Sequence, residues 1–477
     1  MDLGVWLWIV TGVMCAVFLF ISWKVTGKAQ SSFSHYAIGG KTFPLYLIFF
    51  TQFATIMGVG NFIGHAGKGY QFGLPWLVFI LGEQGSKIIF ALFFAGLAGR
   101  LTYNTFPEMM DDLIVRDKVT RALGGILASM IMIAWVGGQG KAFGNIFNII
   151  TGANPVPIIL LFSLVFIVYT TLGGIYSVVW TDLIQGILVV IFGVAFYIFA
   201  FSPVGWSMTE LGMRLAEVGK GELWSFRGTN VIQLLNQFVT GCIGILAAQI
   251  YWQRCFSAKY KKAARDGLLW SGIIAIIFVM LTALVGMVIL TLNQGLKPDD
   301  AMPWFMLNYV PKGIAVMIFA LVLAAGMSSA DSNLNSASIL IVNDLIKPFK
   351  EKATDAQLVK YVKGLTIVIG VFSAVAGIYA SSILDLFSRA YAMAGGGLVP
   401  LLLVGLLWKE RKGEKFEMGV KNSKVTPWGA RIGIITGSIL TQIPALGSNR
   451  VLIALIISAV LIIIVSLLTK NSKAQWS

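Results

Sequence analysis

Charge is what this 477-residue chain has least of. Asp, Glu, Lys and Arg together make up 12% of it, about half of the ~25% that soluble domains carry. It also lacks any long polar stretch, so no extramembrane domain is expected. The longest polar connections lie near 203–229, 253–266, 344–363 and 408–428. Its three cysteines, Cys15, Cys242 and Cys255, are scattered and carry neither metal-ligand spacing nor a disulfide framework. Two histidines, His35 and His65, are too few for a His-based metal cluster. No nucleophile–base set stands near a span end, which argues against a membrane enzyme.

What is present is apolar. Hydrophobic residues reach 57%, mean hydropathy is +0.82, and runs of spanning length recur from Val5 to Leu468. Strict alternation is absent, so helices are the spanning element. The spacing predicts an all-α polytopic membrane protein with about thirteen spans: 4–23, 43–70, 74–99, 120–149, 155–173, 177–202, 230–252, 266–292, 312–344, 362–381, 384–408, 429–445 and 450–469. Met1-Asp2-Leu3 leads straight into the first run, and Lys24 and Lys28 follow it. A signal peptide has the reverse order, so an uncleaved first helix is expected.

The formal net charge is +15, but the basic residues sit in short loops between apolar runs. That fits the positive-inside rule rather than nucleic-acid binding. With the N-terminus outside, the cytoplasmic connections carry Lys24, Lys28 and Lys41; Arg100, Arg116, Lys118 and Arg121; Arg254, Lys259, Lys261, Lys262 and Arg265; Lys347, Lys350 and Lys352; and Lys409, Arg411, Lys412, Lys415, Lys421 and Lys424, with Lys470 and Lys473 in the tail. The other side carries chiefly Arg214, Lys220, Arg227, Lys297, Lys312 and Arg450. The asymmetry predicts a cytoplasmic C-terminus and a cell-membrane, multi-pass protein.

Two runs hold helix-weakening residues at mid-length: Gly58-Val59-Gly60-Asn61 in the second and Gly241-Cys242-Ile243-Gly244 in the seventh. Close packing through small residues is one explanation. Their position five spans apart favours the other, an inverted repeat with a midplane site. Asp182 lies within Trp180-Thr181-Asp182-Leu183-Ile184-Gln185, inside an apolar run, where a carboxylate persists only with a partner or a job. Ser328, Ser329, Asp331 and Ser332 lie inside another. Serines there often bond back to their own helix, but an acidic group at that depth is a candidate functional residue.

Four separated segments resemble the sodium:solute symporter family. They are the glycine-broken helix ending Asn61-Phe62-Ile63-Gly64-His65-Ala66-Gly67, the run Gly173-Gly174 through Trp180-Thr181-Asp182 to Gln185, the helix end Gln249-x-x-x-Gln253-Arg254, and Ala325-x-x-Ser328-Ser329. The resemblance covers nearly the whole chain. It implies a LeuT-type core of two inverted five-helix halves over 43–408, preceded by an extra helix and loop (1–42) and followed by two helices (409–477), in a single transporter domain. It further implies a sodium-coupled symporter importing a small organic solute by alternating access. Carried over by position, the principal sodium site would use the carbonyls of Ala54, Met57 and Ala325 and the hydroxyls of Ser328 and Ser329. A second cation site of some members falls on Asp182, Asp331 and Ser332. There Asp331 replaces a serine, so two carboxylates need a cation, a shared proton or a basic partner. Lys141 is the basic candidate from another span, and sodium is the other.

For the solute, Asn61 and Gln139 match positions used by relatives. Ile56 and Ile80 stand where sugar carriers have polar groups, which favours an amino acid or carboxylate. Glu83 lies on a helix that lines the solute path in the family. Glu83 with Lys87, and Asp385 with Arg389, are spaced as one-turn pairs. His65 reads as a hydrogen-bonded helix residue, and Trp76, Trp135, Trp180 and Trp304 as interfacial anchors. The competing functions are a proton-coupled symporter using Asp182 and Asp331, and a transporter-like membrane sensor.

Overall fold

Hydrocarbon offers the backbone no hydrogen bonds, so each apolar run closes its own as a helix. A computed structural model describes residues 3–99, 101–410 and 419–470. Arg100, Arg411, Lys412, Lys415 and Lys473, counted above among the basic loop residues, lie outside these. The main helices are α1 (Leu3–Ala29), α2 (Leu45–Ile56), α3 (His65–Phe72), α4 (Leu77–Ile89), α5 (Lys118–Thr151), α6 (Pro155–Ala200), α7 (Val231–Ala247), α8 (Gln249–Ser257), α9 (Lys261–Leu292), α10 (Lys312–Leu340), α11 (Asp355–Tyr379), α12 (Ile383–Leu407), α13 (Pro427–Leu440) and α14 (Arg450–Leu468). Among the described residues no strand forms beyond two isolated bridges, Phe43 with Ala258 and Lys409 with Ser423.

Among the described residues, nine helices are long and apolar enough to cross a membrane, or eleven when each of two bent pairs is one span. The thirteen runs read from the sequence exceed this at two places. The first is α6, which joins two of those runs across Gly174, whose φ of 50° and ψ of −145° are not helical. A side chain there would be strained and would meet the Tyr36 carbonyl at 2.9 Å. The second is α13, whose 14 residues reach only about 21 Å, short of the ~30 Å hydrocarbon core.

The bent pairs are α2 with the helical stretch Gly60–Phe72 that contains α3, turned by 50° across residues 57–59, and α7–α8, turned by 43°. The first break falls where the glycines of the second run predicted it. The second does not: it lies at Ala248, in extended geometry with φ −79° and ψ 117°, past Gly241 and Gly244. Those two glycines serve close packing. A Cβ on Gly241 would lie 2.6 Å from the Glu83 amide nitrogen, and one on Gly244 would strike the Tyr391 ring. The Ala248 break is held from outside the helix. Trp252 Nε1 donates to the Leu246 carbonyl at 2.9 Å. The Gln249 amide donates to the Asn104 carbonyl at 3.0 Å and accepts from the Phe106 amide at 2.8 Å.

Burial orders the bundle. The span containing α10 is 83% buried, against 22% for α1 and 28% for the span ending in α14. The hydroxyl-rich and acidic face of α10 therefore sits at the centre of the protein. At one end of the bundle, Asp117 caps α5 by accepting from Thr120 N at 2.8 Å. It also takes both arms of Arg431 on α13 at 2.6 and 2.9 Å. Burial alone would raise the Asp117 carboxyl, but the Arg431 guanidinium and the Thr120 bonds hold it below its ordinary value.

Candidate functional site

Four helices bring a polar cluster together around Asp182, which is fully buried on α6. Its carboxylate accepts from Thr51 on α2 and Ser328 on α10, and from Thr55 on α2 at 3.4 Å. The guanidinium of Arg254 on α8 lies 3.6 Å from it. Arg254 also donates to Ser332 at 2.7 Å and to Thr51 and Thr55 at 3.3 Å each. The Thr55 and Ser332 hydroxyls are 2.9 Å apart. Asp331 lies beside this network: the Thr181 hydroxyl donates to it at 3.5 Å and otherwise bonds its own helix, while Arg254 and Asp182 act on it through charge.

Asp182 thus has the partner that a charge in an apolar run requires, and the partner is Arg254, not Lys141. Lys141 instead donates to the Ala380 carbonyl at 2.9 Å. The signal for Arg254 was present in the Gln253-Arg254 pair at the α8 end. Charge is not fully balanced: two carboxylates face one guanidinium. Among the described residues, Asp331 Oδ1 and Arg254 Nε have no hydrogen-bond partner.

A second group of oxygens collects at the α2–α3 break. Leaving helical geometry frees carbonyls that the next turn would have bonded. Side chains claim two of them: Ser329 donates to the Thr55 carbonyl at 2.7 Å, and Asn61 donates to the Ile56 carbonyl. The Gln139 amide oxygen on α5 receives the Val59 amide at 3.0 Å. Among the described residues, no hydrogen bond reaches the carbonyls of Ala54 or Met57. Ala325 stays within the continuous α10. Of the two serines expected to act together, Ser329 faces the break and Ser328 faces Asp182.

Beside the break lies a cavity of about 40 Å³, room for roughly three waters. Its walls are Ile56, Gly60 and Asn61 at the break, Glu83, Gln84 and Lys87 on α4, Trp135 and Gln139 on α5, Tyr251 on α8, Ser329 and Asn333 on α10, and Phe387 and Tyr391 on α12. Asn61, Gln139, Glu83 and Ile56 line it as the residue pattern suggested. Ile80 is buried but is not in the wall, and neither Gly241 nor Gly244 lines it. The wall on the side of the second break comes from Tyr251, beyond Ala248.

The one-turn charge pairs are not the pairs that form. Glu83 accepts from Tyr391 at 2.7 Å and from Gln84 at 2.8 Å, and lies 3.1 Å from His65 Nε2. His65 Nδ1 in turn accepts from Trp76 Nε1 at 3.0 Å. Asp385 pairs with Lys68 across two helices at 2.8 Å, not with Arg389. Trp76 and Trp135 are buried in the protein rather than anchored at an interface, whereas Trp180 is 41% exposed. The chain order of these residues carries no sign of the cross-helix partners.

A helical bundle with two bent spans, one of them broken around a set of oxygens, is the frame of a secondary transporter. The family model described as the sodium:solute symporter family matches residues 36–414. The chain belongs to the sodium:solute symporter family. It is 26% identical to the sodium/sialic acid symporter SiaT of Proteus mirabilis, over 85% of this chain and 86% of that protein. It is also 26% identical to the osmoregulated proline transporter OpuE of Bacillus subtilis, over 98% of this chain and 95% of that one. A solved structure of a Na⁺-coupled sialic acid symporter in a substrate-bound outward-open state superposes with TM-score 0.83, at 23% identity over 100% of both chains. Mhp1, a nucleobase-cation-symport-1 family transporter, superposes with TM-score 0.61 at 17% identity, over 92% of this chain and 95% of that one. The fold is therefore LeuT-type. The chain is a multi-pass membrane transporter, not an enzyme, and it couples a small-molecule solute to sodium.

Proposed function

We propose that this symporter imports a small amino acid or carboxylate rather than a sugar, by alternating access around the α2–α3 and α7–α8 breaks. The observation that carries this reading is the cavity itself. It is small, at about 40 Å³, and it sets Ile56 and aromatic rings beside a buried lysine. Residues 43–408 form the two five-helix halves, with 1–42 and 409–477 as additions, in a single domain. The N-terminus lies outside and the C-terminus in the cytoplasm, as the Lys and Arg asymmetry of the loops favours.

The principal sodium site is assigned to the carbonyls of Ala54, Met57 and Ala325 with Ser328 and Ser329. Its support is the pair of break carbonyls without a donor and the Ser329 hydroxyl beside them. Broken helices in such folds hold sodium with unwound carbonyls. Asp182, Asp331 and Ser332 form the candidate second cation site. A proton on Asp331 in place of a second sodium is the alternative there, favoured by the unpartnered Oδ1 and by the guanidinium already present. Uptake into proteoliposomes of labelled amino acids, monocarboxylates and hexoses, each under a sodium gradient, tests the solute class. A hexose as the best substrate overturns it.

A further inference from the structure

The cavity holds one cation that the rest of the site leaves unused. Lys87 on α4 is 2% exposed. Among the described residues its ammonium makes one hydrogen bond, to Gln84 Oε1, and stands 5.6 Å from the centre of the Tyr251 ring. An ammonium has three donors, so two are unclaimed. A buried charge so poorly satisfied is costly unless something arrives to pair with it. Glu83, one turn away, is committed to Tyr391, Gln84 and His65. Trp135 on α5 lines the same wall, with its indole N–H set toward Tyr391. Its ring is 6.4 Å from that of Tyr251, so the free Lys87 donors and the indole flank one tyrosine, from different helices.

We infer that Lys87 is a carboxylate anchor, and that the solute is a small monocarboxylate bound through its carboxylate beside Tyr251. The inference rests on the reading of this cavity as the solute site and narrows it. A carboxylate offers two oxygens to the unclaimed Lys87 donors, and the charge on the ammonium strengthens the contact. The rest of the solute lies against Trp135, Phe387 and Tyr391. The Glu83 oxygens are already engaged by Tyr391, Gln84 and His65, which leaves, among the described residues, the neutral Asn333 Oδ1 as the unpartnered side-chain acceptor in this wall. A neutral amide oxygen holds an ammonium less tightly than a carboxylate does, so small hydroxy-, keto- and unsubstituted acids fit better than α-amino acids.

The test uses purified full-length protein in detergent, in NaCl and in KCl. Acetate, propionate, pyruvate and lactate are titrated, each beside its neutral primary amide, together with L-alanine, with melting temperature and calorimetry as readouts. A non-amino monocarboxylate is expected to bind about tenfold or more tightly than its amide. Lys87→Met should lose about the same factor for the acid, and Lys87→Arg should restore part of it. The acid-against-amide comparison needs no variant, so it stands even where Lys87→Met fails to fold. An amide that binds as well as its acid, a parent-like affinity in Lys87→Met, no binding by any of the acids, or L-alanine binding tighter than every other acid overturns the proposal. Sodium separates the two claims. A neutral solute that binds only in NaCl leaves symport at this cavity standing and removes the anchor. An acid that binds through Lys87 equally in KCl keeps the anchor and counts against coupling at this cavity.

Discussion

Arg254→Met removes the one cation of the Asp182 cluster while keeping most of the side-chain volume. In the parent, the guanidinium sits 3.6 Å from Asp182 and 2.7 Å from Ser332, and Asp331, next to Ser332 in the chain, adds a second buried carboxylate to its field. All of these groups are buried. Taking away one partner of a buried pair leaves an uncompensated charge and costs about 3–5 kcal/mol. Here two carboxylates are left behind, so the upper part of that range is expected. In a protein of this size the melting temperature should fall by several degrees at low salt. Two secondary changes should reverse much of the loss. Asp331→Ser in the same background removes the surplus carboxylate. Adding sodium supplies a cation to the vacated place, so sodium should raise the melting temperature of Arg254→Met more than that of the parent. The assay is a fluorescence melt of purified protein across a sodium titrate, with potassium balancing ionic strength, on the parent, both single variants and the double variant. Non-additivity of the double variant reports the coupling directly. A melting temperature for Arg254→Met equal to the parent's, or a strictly additive double variant, would refute the electrostatic account of the cluster.

Ser329→Ala deletes the hydroxyl that meets the Thr55 carbonyl and should raise the sodium concentration for half-maximal uptake by about tenfold, the value of one lost ligand bond; an unchanged sodium dependence removes Ser329 from the principal site. Asn61→Ala should raise the solute's apparent dissociation constant more than that of sodium, and intact solute affinity would show that Asn61 serves only the Ile56 carbonyl. Asp182→Ala should lower the Hill coefficient for sodium if the cluster takes a second ion. A coefficient near one in both parent and variant, with uptake driven by a pH gradient alone, points to a proton instead.

Much of the architecture could be read from run lengths, because the bilayer forces each apolar run into a helix of predictable length. The first break could be read too, since Gly58 and Gly60 weaken the helix where they stand. The second could not. Ala248 has no special backbone freedom, and its extended geometry depends on Trp252 and Gln249 reaching neighbouring carbonyls and loops. Gly241 and Gly244 misled for the opposite reason: glycine serves close packing against α4 and Tyr391 as readily as it serves a break. The site divides in the same way. Asp182, Ser328 and Ser329 stood out as polar groups in apolar runs. Arg254 and Lys87 were visible only as residues, because their partners come from helices far away in the chain. One-turn spacing suggested Glu83–Lys87 and Asp385–Arg389, but cross-helix partners with better geometry took both carboxylates.

The central claim is that solute movement through this protein is coupled to sodium at the α2–α3 break. The most direct measurement is solute uptake into proteoliposomes of purified protein under an inward sodium gradient, compared with equal sodium on both sides and with an inward proton gradient in sodium-free buffer. The account predicts accumulation above equilibrium only with the sodium gradient, and its loss at the same sodium concentration in Ser329→Ala. Accumulation driven equally well without sodium, or unaffected by the Ser329 change, would contradict it.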